Sequence, residues 1–188
     1  MKRLFSVLLL AVFAALAFAA CGSSSSASSA LPAASSSLAA SSLPASSASA
    51  AGQYDVGALL APLTEAAGLG ATIELDITEL TASGDISADN IAGMAGAKSV
   101  MYAENGGMVA VIEATPGTAD TVKAGLEKYR DGLLAQGEDY KSDFPLAYAN
   151  MQEARIVVNG DCVIFATSAN GTEGGYDALD TALAAAFA

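Results

Sequence analysis

The side chains of this chain that could carry chemistry are few in kind. There are 2 cysteines, 20 carboxylates and no histidine in 188 residues. Without imidazole the chain lacks the commonest general base, the Ser–His and Cys–His nucleophile pairs and the commonest metal ligand. No G-x-S-x-G, H-E-x-x-H or C-x-x-C occurs either. Twenty carboxylates offer many arbitrary acid–base pairs and single out none. Asp85, Ser87 and Asp89 alternate like the opening ligands of a calcium loop. Asn90 stands where that loop needs glycine, and Gly96 or Ala97 where it needs glutamate, so the residues read as a turn and helix cap. Asn170, Thr172, Glu173 and Asp177 share a glycine-rich loop, whose polarity needs no metal to explain it, and Gly68-Leu69-Gly70 lacks the third glycine of a dinucleotide fingerprint. No metal ligand, cofactor or catalytic residue is expected. Tyr140, Phe144 and Tyr148 remain, four residues apart beside Glu138, Asp139, Lys141 and Asp143. They fit either a binding surface or one helical face laid over the core.

The thiol with the clearest chemistry is Cys21. Met1-Lys2-Arg3 is a basic start, and Leu4 to Phe18 is an uncharged apolar run. That run is short of the roughly 20 residues needed to cross a bilayer, but it suits the apolar region of a secretory signal. Phe18-Ala19-Ala20-Cys21 then resembles the lipobox of bacterial lipoproteins, with Phe18 where leucine is usual. The resemblance implies cleavage before Cys21 and acylation of its thiol, hence a membrane anchor. Cys162 lies in the apolar run Cys162-Val163-Ile164-Phe165-Ala166 and reads as a small buried hydrophobe.

Three segments follow from composition. Residues 1–20 read as the signal. Residues 21–52 are the lipidated cysteine and a Ser/Ala-rich stretch without charge or aromatic residues, expected to be a disordered tether. Residues 53–188 suit a single domain. Within it, Asp55 can cap a helix running through Leu59, Leu60, Leu63 and Ala67 to Gly68 or Gly70. Thr72 to Leu80 fits a strand or a short helix equally. Ser87 can cap a stretch from Ala88 to Met94, and Ser99 to Glu104 pairs as a hairpin with Met108 to Ala114. Val122, Leu126, Tyr129 and Leu133 mark a helix of about 18 residues ending near Gly137. A tyrosine-bearing connection over Asp139 to Gln152 leads to a hairpin, Ala154–Val158 and Asp161–Thr167, around Asn159-Gly160. A helix from Tyr176 to Phe187 closes the chain. Val111-Ile112-Glu113-Ala114-Thr115 echoes Val163-Ile164-Phe165-Ala166-Thr167, so the domain reads as two hairpin–helix units. The expected class is α+β: about four mainly antiparallel strands with helices packed on one face.

Leu126-Glu127-Lys128-Tyr129-Arg130, Gln136, Tyr140, Phe144-Pro145, Glu153-Ala154 and Val157-Val158-Asn159-Gly160 occur in an order that resembles the bacterial lipoproteins of the domain of unknown function 4358 family. Those proteins carry a lipobox, a low-complexity tether, a hairpin, a long helix, a Tyr/Phe-Pro connection and a second hairpin. The resemblance spans about residues 88–187. It departs at Phe144, where tyrosine is usual, and in the glycine-rich loop over 170–175. It implies no activity, cofactor or catalytic residue.

Charge sets the remaining expectations. Removal of Lys2 and Arg3 with the signal leaves 20 acidic against 6 basic side chains, a balance of −14. Such a chain lacks the clustered cations of a nucleic-acid binder. The expected protein is a lipid-anchored lipoprotein on the extracytoplasmic face of the cell membrane, a non-enzymatic binding or structural module with an envelope protein or glycan as partner. A Gram-positive source fits the serine-rich tether. The alternative is a carboxylate-dependent hydrolase or accessory enzyme acting on envelope glycans; a glycosidase needs two carboxylates about 5–10 Å apart in a deep pocket.

Overall fold

The computed structural model describes residues 53–188, so the expected signal, tether and lipidation site at Cys21 lie outside the described residues. The Asp55 carboxylate accepts a hydrogen bond from the Ala58 N–H at 2.9 Å and starts helix α1, Val56–Ala66, as its position predicts. The ambiguous segment after it resolves into both of its readings in succession. Thr72–Glu74 is an exposed edge strand, β1, and Asp76 then caps helix α2, Ile77–Gly84, by accepting from the Thr78 N–H at 2.9 Å.

Ser87 does cap the next turn, but the turn is only Ala88–Asn90, and strand β2 then runs Ile91–Ser99. The strand expected over Ser99–Glu104 therefore lies eight residues earlier, and Tyr102–Asn105 is a helical turn, α3. The reason is steric. The Ala/Gly-rich segment has little intrinsic strand preference, yet Leu75 seats against Gly96, where an added Cβ would lie 3.0 Å from the leucine. Tertiary packing outweighs local propensity here.

Strand β3, Met108–Ala114, pairs with β2, and helix α4, Ala119–Gly137, follows with the length expected. Helix α5, Pro145–Gln152, occupies the second half of the tyrosine-bearing connection. Strands β4, Arg155–Asn159, and β5, Cys162–Thr167, form the second hairpin, turned at Gly160 with φ +57°. Helix α6, Asp177–Ala185, ends the fold. The class is α+β, with one antiparallel sheet of order β1-β2-β3-β5-β4 and six helices packed against it.

The helices cover both faces of the sheet, not one. Leu80, Val122, Leu126 and Tyr129 pack on Met108, Ala110, Ile112, Val163 and Phe165. On the opposite face Leu63, Leu69, Leu179 and Leu183 pack on Val109, Val111, Ile164 and Ala166. The two central strands carry apolar residues at consecutive positions, and every residue of both is buried. An uninterrupted apolar run is the pattern of a strand covered on both sides.

The sequence echo consists of these two central strands, which pair with each other through Val111↔Ile164 and Ile112↔Val163. Its matching residues Val111 and Val163 face opposite layers. The echo is shared strand composition, not a symmetric duplication.

Candidate functional site

A groove of about 170 Å³ opens where the core beneath α4 and α5 reaches the surface. Leu133, Leu134 and Gly137 at the C-terminal end of α4 form one wall, and Ala147, Tyr148 and Met151 of α5 form another. Tyr102, Ala103 and Gly106 close it from α3, while Tyr140, Lys141 and Phe144 of the α4–α5 connection form its lip.

Local sequence dictates this arrangement. Pro145, with its fixed φ and absent N–H, starts α5 and holds Phe144 outside the helix at φ −128°. Gly106 ends α3 in a left-handed conformation, φ +66°, with its Cα turned toward α5. A Cβ there would lie 2.8 Å from the Ala147 carbonyl oxygen, so glycine alone permits the approach of α3 to α5. The Asn150 side-chain amide then donates to the Asn105 carbonyl at 2.8 Å and ties the two helices.

The three aromatic residues singled out by their spacing meet at this groove. Phe144 N–H donates to the Tyr140 carbonyl at 3.0 Å, and Tyr148 N–H to the Phe144 carbonyl at 3.1 Å, so each four-residue interval closes one hydrogen-bonded turn. They do not seal the core, however. Tyr140 is 61% exposed and Phe144 42%, with neighbouring Leu146 at 41%. Tyr148 is half-buried, and its hydroxyl donates to Glu138 at 2.6 Å. Lys141 pairs with the other oxygen of Glu138 and stands 6.0 Å from the Tyr148 ring centre. The bonds from Lys141 and then Tyr148 hold the Glu138 carboxyl below the usual carboxylate range. The same carboxylate raises Lys141 and Tyr148 above theirs.

Beside the groove lies a polar network that sequence reasoning missed. Tyr129 donates to Glu79 at 3.2 Å, and Lys98 donates to the other Glu79 oxygen at 2.7 Å while standing 5.6 Å from the Tyr102 ring centre. Burial, with Glu79 nearby, pushes the Tyr102 phenol up to about 12, and burial raises Tyr129 as well. Tyr129 was legible as a core position from its helical period. Tyr102, Leu133, Leu134 and Met151 gave no combined signal, because they come from three elements separated by loops.

The remaining candidates resolve into local structure. Asp85 takes the left-handed position that ends α2 and pairs with Lys128, whose hydrogen bond and charge lower the Asp85 carboxyl. The Asn170 N–H donates to Ser168 Oγ at 3.0 Å, and the Asn170 side chain occupies the space a Cβ on Gly68 would need. Cys162 is fully buried, and burial, with Glu113 nearby, pushes its thiol up to about 11, against any nucleophilic role at neutral pH. Among the described residues no group of three or more Cys, Asp or Glu side chains could hold a metal ion. No helix among them is long and apolar enough to cross a membrane.

No curated protein and no solved structure matches the chain. The model of one family, described as a domain of unknown function (DUF4358), matches residues 66–168. That span runs from the last residue of α1 to just past β5, and so includes the whole sheet and every residue of the groove. The chain belongs to the DUF4358 family.

Proposed function

We propose that the protein is a lipid-anchored extracytoplasmic lipoprotein of the cell envelope whose folded domain binds a partner and performs no reaction. The anchor rests on Phe18-Ala19-Ala20-Cys21 placed directly after a signal-like apolar run. The binding role is carried by one observation: an open apolar groove whose lip is built from exposed aromatic residues, with Tyr140 61% and Phe144 42% exposed. Aromatic side chains left in water around a concavity are what recognition surfaces use. The groove lining contains no carboxylate, which favours binding over acid–base chemistry at this place.

Two measurements test the two halves separately. Cells fed a fatty-acid analogue label the wild-type protein and not a Cys21→Ala variant; equal labelling refutes the anchor. A photo-crosslinking residue at position 140 on intact cells yields a discrete adduct that is absent when the same residue stands at exposed Asp120. An identical outcome at both positions refutes the groove as a binding site.

A further inference from the structure

We infer that the occupant of the groove is an apolar side chain, of Leu or Phe size, on a cationic protein segment. The inference rests on reading the groove as a binding site and adds the chemistry of the partner. Size comes first. At about 170 Å³ the groove is smaller than the roughly 300–1,000 Å³ of sites for drug-sized ligands and cofactors. It is close to the ~150 Å³ cavity that accepts a benzene ring, so it holds one ring or one branched aliphatic group. Polarity comes next. A sugar ring of similar size presents hydroxyls that need several converging donors and acceptors. The Lys141 ammonium at the lip is engaged by Glu138, and so is the Tyr148 hydroxyl. The walls are otherwise Leu133, Leu134, Met151 and Phe144 with small residues and the rings of Tyr102 and Tyr140, whose two phenol hydroxyls are the remaining side-chain polar groups.

Charge selects the flanks of the occupant. Among the described residues all six cationic side chains are in ion pairs: Lys98, Lys123, Lys128, Arg130, Lys141 and Arg155. Together they engage Glu79, Glu127, Asp85, Asp131, Glu138, Glu153 and Asp180, so none of the other described carboxylates is in an ion pair. Three of the exposed ones stand next in sequence to groove residues. Glu104 follows Ala103, Asp139 precedes Tyr140 and Asp143 precedes Phe144. An anionic polymer meets no free cation here, and a second copy of this acidic chain is repelled. A segment with Lys or Arg on either side of one large apolar residue satisfies both the groove and its surroundings.

The test uses the full lipidated chain in detergent micelles and four fluorescent probes read by anisotropy. These are a peptide with a central Phe flanked by lysines, the same peptide with Ser for Phe, the same with Glu for every Lys, and the neutral sugar chitotetraose. The Phe–Lys peptide binds, and removing the ring weakens it about tenfold or more. The glutamate peptide binds at least as poorly. A variant combining Glu104→Gln, Asp139→Asn and Asp143→Asn weakens the Phe–Lys peptide by roughly tenfold at low salt. That difference shrinks as salt is raised toward about 0.5 M. Ala147→Leu, which fills the groove from α5, weakens the peptide whether or not the rim is charged. Chitotetraose binding that Ala147→Leu abolishes overturns the inference in favour of a glycan. Equal binding of the lysine and glutamate peptides overturns it as well. If position 140 crosslinks on cells while no cationic peptide binds, the binding site stands and this partner class falls. If neither occurs, both fall.

Discussion

Gly106 offers a test in which conformational strain and steric contact separate. Its φ is +66°, and a Cβ there would lie 2.8 Å from the Ala147 carbonyl oxygen and 3.0 Å from the Ala147 Cα. Gly70 has nearly the same φ, +64°, with nothing within 4 Å of the corresponding Cβ. An alanine in the left-handed region costs about 1–2 kcal/mol. Gly70→Ala is therefore expected to lose about 1–2 kcal/mol and no more. Gly106→Ala carries the same backbone cost and in addition forces α3 away from α5. Two backbones must part, since neither contact is with the flexible end of a side chain, and such overpacking costs about 1–3 kcal/mol more. The combined loss is about 2–5 kcal/mol. For a domain of this size each kcal/mol lowers Tm by about 3–5 °C, so the two variants differ by several degrees. Urea denaturation of both variants and the wild type, followed by circular dichroism, measures the difference. Equal losses at positions 70 and 106 would falsify the argument that glycine is required at 106 for the approach of α3 to α5, and with it the account of how the groove is shaped.

Two further outcomes are expected. Below pH 10 the Tyr102 phenol is protonated in folded and unfolded chains alike and contributes nothing to the pH dependence of stability. Between pH 10 and about 12 the unfolded chain ionises while the folded one holds its proton, so stability falls as pH rises, by up to about 2–3 kcal/mol. Tyr102→Phe removes that contribution and flattens the urea midpoint against pH across this window; identical slopes refute it. Arg155 donates to both oxygens of Asp180, at 2.8 and 3.1 Å, and its guanidinium lies 4.4 Å from the Tyr176 ring centre, joining β4 to α6. Arg155→Lys keeps the charge but loses the fork and the planar stack, and should cost about 1 kcal/mol after allowance for exposure. A lysine variant as stable as the wild type sinks the assignment.

Where a signal lies within a few residues, sequence and structure agree. Asp55 caps α1, the apolar period of Val122, Leu126 and Tyr129 yields α4, and Asn159-Gly160 turns the second hairpin. Where the deciding partner is far away in sequence, they part. β2 is a strand because β1 and β3 flank it and Leu75 seats on Gly96, and nothing in its Ala/Gly composition announces this. β3 and β5 were legible as strands, but not as neighbours, since their pairing bridges about 50 residues.

The candidate site divides in the same way. The four-residue interval of Tyr140, Phe144 and Tyr148 shows in the sequence, and backbone hydrogen bonds close it into two successive turns. Whether those rings would cover the core or stand in water depended on where α3 and α5 came to rest. The sequence alone determined the α+β class, the acidic balance, the absence of histidine chemistry and the local caps and turns, because each depends on residue type or on neighbours within about one helical turn. Tertiary structure alone decided the strand order, the covering of both sheet faces and the groove. Each of these is a contact between segments far apart in the chain, selected by packing and steric fit, which composition and periodicity do not encode.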